Sequence, residues 1–218
     1  MIYEFFRHLG MILGYPVQLL FFKRRTFYES GSARGSLRRG GKLIISNHYN
    51  MLDYVMTCFA VYPRKLNAIA SEDPFKRPFF NFGMRFFGAI KADRITKSMR
   101  FIDEAAAVIR DKHQLVQIFP EGRNTPDGKM HEFKQSYIVI AHRAHCPIVP
   151  VVTDGNYGPW RRASIIIGDE IDVSRYITTD KRLPSREELA LANAAIYEKM
   201  LSLREQLEER KASKKRKR

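Results

Sequence analysis

The sequence predicts an α/β fold: a single domain whose largely parallel sheet is flanked by helices and preceded by an N-terminal helical segment. Three observations carry this prediction. Short β-branched apolar runs alternate with helix-period stretches from about residue 42 to residue 210, the pattern of successive strand–helix–strand units. No internal repeat and no Gly/Pro/Ser-rich linker divides that stretch. Finally, 218 residues with 44% apolar and 28% charged side chains suffice for one domain with a real core.

The first element is the run LGMILGYPVQLLFF from Leu9 to Phe22, followed at once by Lys23, Arg24 and Arg25. It is too short for a span, which needs roughly 20 apolar residues, and Pro16 is expected to kink a helix here. Signal-peptide grammar is missing, since no basic stretch precedes the run and no clear small-residue cleavage site follows it. An interfacial anchor fits better than an ordinary core helix, with apolar side chains in the bilayer interface and the basic cluster on anionic headgroups at about 1 kcal/mol per charge. Residues 1–42 are therefore assigned to membrane contact and 43–210 to the main domain.

Within that domain, KLIIS (Lys42–Ser46) reads as a buried strand, Met51–Val61 as a helix and Leu66–Ala70 as a short strand. Thr96–Lys112 is a helix on its periodicity, with Met99, Ile102, Ala106 and Ile109 sharing one face. LVQIF (Leu115–Phe119) is a strand, Phe133–His145 a helix, and Ile148–Thr153 and Ser164–Ile167 are strands. Ser185–Arg210 closes the domain as a helix opened by the capping box Ser185-x-x-Glu188.

Charge is the unusual feature of the composition. The formal net charge is +15, of which +6 falls in residues 1–42 and +6 in the final KASKKRKR, leaving only +3 on residues 43–210. Such a surplus calls for an anionic partner. Its concentration outside the body favours an anionic membrane surface over nucleic acid. Residues 211–218 have no apolar side chain but Ala212 and are expected to be disordered.

Cys58 and Cys146 lie in apolar stretches outside any metal-ligand or CxxC spacing, and both read as packed thiols. His142 and His145 have no acidic or Cys partner placed with them and read as helix-surface histidines.

In a parallel sheet, ligands lie beyond the carboxyl ends of the strands. Two polar segments stand there: SNHYNMLD after the first strand and PEGRNTPDG after LVQIF. His48 and Asp53 are five apart, which places them on different faces of a continuous helix. With a loop between them, the carboxylate can fold back onto one imidazole nitrogen and leave the other for a substrate hydroxyl, as the base and orienter of a triad do. The alternative is a helix-capping Asp beside a surface His.

Four segments in order give the chain its resemblance to the 1-acylglycerol-3-phosphate acyltransferase family of lysophospholipid acyltransferases. They are NHxxxxD at Asn47, His48 and Asp53; GAIKADR from Gly88 to Arg94; FPEGRNT from Phe119 to Thr125; and PIVPV from Pro147 to Val151. The match runs from about Lys42 to Val152. The resemblance implies that His48 is the catalytic base and Asp53 its orienter, that Glu121 and Gly122 shape the acceptor pocket, and that Arg94 binds the acceptor's phosphate.

It further implies an acyltransferase of phospholipid biosynthesis, with a lysophospholipid acceptor and acyl-CoA or acyl-carrier protein as donor, at the cytoplasmic face of a membrane. No metal or redox cofactor is implied. The usual Thr-Arg of the third signature is Arg123-Asn124 here, so the second phosphate contact falls to Arg123 from a shifted position or the headgroup differs. Two other functions remain open: transfer to a different lysophospholipid or a lyso-aminolipid, and a non-enzymatic basic binding protein with a structural His/Asp pair. The aromatic-basic segment Phe75–Phe87 is expected to cover a groove for an acyl chain.

Overall fold

A computed structural model describes residues 2–76, 81, 83–84, 88–92, 99–125, 127–159 and 161–216. Among them, seven strands form one sheet: β1 (Arg25–Tyr28), β2 (Lys42–Ser46), β3 (Leu66–Ser71), β4 (Ile90–Ala92), β5 (Leu115–Ile118), β6 (Ile148–Thr153) and β7 (Ser164–Ile167), in the order β1-β7-β6-β2-β5-β3-β4. Every neighbouring pair is parallel except β6 with β7. The helices are α1 (Ile2–Phe21), α2 (Gly31–Ser36), α3 (Leu52–Val61), α4 (Arg100–Lys112), α5 (Ser136–Ala144) and α6 (Arg186–Arg216).

Successive side chains along a strand face opposite sides of a sheet, and both sides are buried here. Leu43 and Ile45 of β2, Val116 and Ile118 of β5, and Ile148 and Val152 of β6 pack with α4, α5 and α6. The alternate residues Ile44, Leu115, Val149 and Val151 pack with α3 and Met11 of α1. That two-sided burial explains why these strands read as continuous apolar runs.

The alternating reading of residues 42–210 is reproduced, with boundary differences of a few residues. Two strands escaped it. β1 and β4 are edge strands of only four and three residues, too short to show a period. β1 pairs with β7 in the same sheet, so residues 25–28 belong to the domain rather than to a separate segment. Met99 is 45% exposed at the start of α4 instead of joining its buried face, which consists of Ile102, Ala105, Ala106, Val108 and Ile109.

The basic segment from Lys211 is helical as far as Arg216, where disorder was expected. Composition alone does not register its partners. The Lys211 ammonium lies 2.8 Å from Glu208 and 3.1 Å from Asp154, and Lys214 sits over the Phe27 ring at 5.0 Å. Cations in a last helical turn also meet the negative end of the helix dipole.

α1 runs continuously through Pro16. Arg7, Met11 and Gln18 are its buried side chains, and Gly14, on the same stripe, lies against the Phe59 ring. Phe5, Phe6, Leu9, Leu13 and Leu20 face outward, Leu20 at 71% exposure. Among the described residues, no helix is long and apolar enough to cross a membrane.

The capping box forms reciprocally: the Ser185 N–H donates to Glu188 at 2.9 Å, and the Glu188 N–H donates to Ser185 Oγ at 3.1 Å. Ser185→Ala should lower stability by about 1 kcal/mol, read as a lower urea midpoint. Donation from the Ser185 and Thr178 backbone N–H groups holds the Glu188 carboxyl down to about 2, from an ordinary 4.5. Its contribution is therefore complete above about pH 4.5 and lost as pH falls toward 2. Glu188→Gln should flatten that part of the pH–stability curve.

Candidate active site

β2 ends at Ser46, and the chain turns through Asn47–Met51 before α3 starts at Leu52. The Asn47 amide fastens this turn to the end of β6, donating to the Thr153 carbonyl at 3.0 Å and accepting from the Thr153 N–H at 2.9 Å. Asn50 Oδ1 accepts from the Leu52 N–H at 2.8 Å, stabilising the start of α3. Asp53, in the first turn of α3, is thereby aimed back into the loop.

Asp53 is fully buried, so its charge needs donors. Among the described residues it has five. Oδ2 accepts from the Tyr49 N–H at 2.6 Å, the Asn50 N–H at 2.8 Å and His48 Nδ1 at 3.1 Å. Oδ1 accepts from the Thr153 hydroxyl at 3.0 Å and the Tyr157 hydroxyl at 2.5 Å. An ionised carboxylate only accepts, so Nδ1 of His48 carries the proton and Nε2 presents a lone pair. The imidazole, 17% exposed, stacks on Phe119 with ring centroids 3.8 Å apart and planes 15° from parallel.

The second polar loop is fastened to the first. The His48 N–H donates to Glu121 Oε1 at 3.2 Å, and the His48 carbonyl accepts from Thr125 through its N–H at 2.8 Å and its hydroxyl at 2.9 Å. Glu121, 4% exposed, accepts at Oε2 from the His131 N–H at 3.0 Å. Its carboxylate thus joins the backbones of two segments. Gly122 turns the chain at φ +67°, and Lys134 occupies the space that a Cβ would need.

Arg123 and Asn124 are exposed at the loop's tip. The Arg123 guanidinium donates to His131 Nδ1 at 3.2 Å, and His131 Nε2 donates to Asp127 at 2.9 Å. Arg94 lies outside the described residues, as do Asp93 and much of Phe75–Phe87.

A groove of about 550 Å³ opens beside the dyad, lined by Ile69, Ile102, Phe119, Val139 and Leu189 with Lys134 at Gly122. Phe119 belongs to both, one face on the imidazole and its ring in the groove wall.

The structure therefore gathers His48, Asp53, Glu121 and Gly122, and leaves Arg123 and Asn124 at the rim. The sequence reading did not find Thr153 and Tyr157. They lie at and just past the carboxyl end of β6, where the rule that singled out the other two loops applies equally. Burial pushes both cysteine thiols up to about 12, in keeping with packed side chains. His142 Nε2 meets the Lys181 carbonyl, and no group of metal ligands occurs among the described residues.

Because Glu121 accepts from two backbone N–H groups, Glu121→Gln turns an amide NH₂ toward one of them. We expect a loss of about 1–3 kcal/mol in urea unfolding; an unchanged midpoint would show that the carboxylate is not the tether between the loops.

A family model described as Acyltransferase matches residues 30–154. The chain is 30% identical over 115 residues to the putative 1-acyl-sn-glycerol-3-phosphate acyltransferase acl-2 of Caenorhabditis elegans, covering 52% of this chain and 40% of that protein. It is 28% identical over 161 residues to the 1-acyl-sn-glycerol-3-phosphate acyltransferase of Cocos nucifera, covering 73% and 48%. The chain thus spans less than half the length of these two relatives. It covers 84% of the Bacillus subtilis 1-acyl-sn-glycerol-3-phosphate acyltransferase at 21% identity. The crystal structure of the 1-acyl-sn-glycerophosphate (LPA) acyltransferase PlsC from Thermotoga maritima superposes with a TM-score of 0.60 over 93% of this chain and 78% of that one, at 18% identity, a likeness of fold. The matched span contains all four signature segments, including the His48–Asp53 pair and the loop that braces it, and the chain belongs to the acyltransferase family.

Proposed function

We propose that the chain transfers a fatty acyl group from acyl-CoA or acyl-carrier protein to the free hydroxyl of 1-acylglycerol-3-phosphate, giving phosphatidic acid in phospholipid biosynthesis. The observation that supports this most strongly is the orientation of His48. Nδ1 is held by a buried carboxylate, while Nε2 has no partner among the described residues and the ring shares Phe119 with an apolar groove.

The reaction these groups can perform is acyl transfer by general base catalysis. Nε2 accepts the proton of the acceptor hydroxyl as its oxygen bonds to the thioester carbonyl carbon. The tetrahedral intermediate collapses with cleavage of the C–S bond, and the imidazolium returns the proton to the leaving thiolate. Asp53 stabilises the imidazolium between these steps. The groove takes the acyl chain, and Arg94 is assigned the phosphate on the family resemblance. A lysophospholipid with a larger headgroup is the second reading, favoured by the pairing of Arg123 with His131 at the rim and by Asn124 in the usual Arg position.

Membrane contact belongs to the same proposal. α1 buries a stripe containing Arg7 and Gln18 and turns large apolar side chains outward, the reverse of an ordinary core helix. Facing an interface would remove Phe5, Leu13 and Leu20 from water at about 25 cal/mol per Å².

Purified protein given acyl-CoA or acyl-carrier protein and a panel of lysophospholipids should form phosphatidic acid, with the rate lowered on the order of a thousandfold or more in His48→Ala. Product from larger headgroups alone would replace the acceptor assignment, and no product from any pair would refute the reading. Leu13→Glu with Leu20→Glu should reduce cosedimentation with phosphatidylglycerol-containing vesicles; unchanged partitioning would refute the role of α1.

A further inference from the structure

We infer that Thr153 and Tyr157 are positioning residues for acyl transfer, whose two hydroxyls fix the Asp53 carboxylate so that its other oxygen holds His48 in the reactive tautomer; this rests on the function proposed above. The last torsion of an Asp side chain is broad, and backbone donors to Oδ2 alone would leave Oδ1 free to swing. Oδ1 is instead held from the opposite wall of the site, by Thr153 at 3.0 Å and Tyr157 at 2.5 Å.

Both donors are themselves held. Thr153 ends β6 and exchanges two backbone hydrogen bonds with the Asn47 amide. Tyr157 rides on a loop ordered by Asp154, whose Oδ1 accepts from the N–H groups of Asn156 at 3.1 Å and Ser164 at 3.0 Å. The Tyr157 ring packs edge-on against Phe22 at 6.4 Å. Burial, together with the neighbouring Asp53 carboxylate, pushes the Tyr157 phenol far up, so it remains a donor. Locking an orienting group through its own neighbours is how a reactive geometry is maintained without rearrangement during the reaction.

The test uses full-length protein carrying ¹⁵N-labelled histidine. The downfield Nδ1–H proton resonance of His48 is assigned by its loss in His48→Ala. In Tyr157→Phe this resonance should move, and kcat should fall about tenfold or more with KM for both substrates unchanged. Thr153→Ser, which keeps the hydroxyl, should retain wild-type behaviour, whereas Thr153→Val should act like Tyr157→Phe and carries the test if that variant fails to fold. An unmoved resonance overturns the inference whatever the rate, as does a moved resonance with unchanged kcat. Should the wild-type protein transfer no acyl group, the proposed function fails on its own account, and the resonance alone decides whether the hydroxyls set the dyad's geometry.

Discussion

A buried carboxylate without donors would cost more than a small domain can spare, and the site is organised around meeting that demand at Asp53. The donors come from the turn after β2, the end of β6 and the loop beyond it. They converge only because β2 and β6 are adjacent, parallel strands whose carboxyl ends open on the same side. The crossover between them must in turn enclose the FPEG loop, since β5 is β2's other neighbour. The dyad is thus a consequence of strand order.

Beyond the dyad, fastening is mutual. Glu121 and Thr125 bind the main chain of His48, so movement of the FPEG loop would displace the imidazole. α6 braces the same region from outside: the Tyr197 hydroxyl donates to the Met130 carbonyl, Arg204 donates to the Gly128 carbonyl, and Lys211 pairs with Asp154 below the Tyr157 loop. Arg204 and Lys211 of this helix thus hold loops around the site, while Lys199, Arg210 and Lys214 engage Phe27, Tyr28 and Glu29 in and after β1. The strong positive balance then has two structural uses, along α6 and at the end of α1, where Arg24 bonds Gln18 of the buried stripe and Thr26 of β1.

What could be read from the sequence follows from how local each signal is. KLIIS, LVQIF and IVPVVT declare themselves because a strand buried on both faces must be apolar throughout, and α4 because its buried face recurs at helical period. β1 and β4 carry too few residues to show a period. The His48–Asp53 pairing was legible because a loop separates the two residues. The Oδ1 donors were not, since Thr153 and Tyr157 are brought to Asp53 by tertiary structure alone. The C-terminal helix was cut short for a similar reason: Lys211 and Lys214 find their partners at Asp154 and Phe27, far away in the chain.

The central claim is that a buried, hydrogen-bonded Asp53 makes His48 a base for acyl transfer. It is tested most directly by measuring kcat/KM for phosphatidic acid formation in Asp53→Asn protein shown to be folded by circular dichroism. The substitution keeps the shape of the side chain but removes the charge that fixes the imidazole tautomer. The account predicts a fall on the order of a thousandfold; transfer within about twofold of wild type would contradict it.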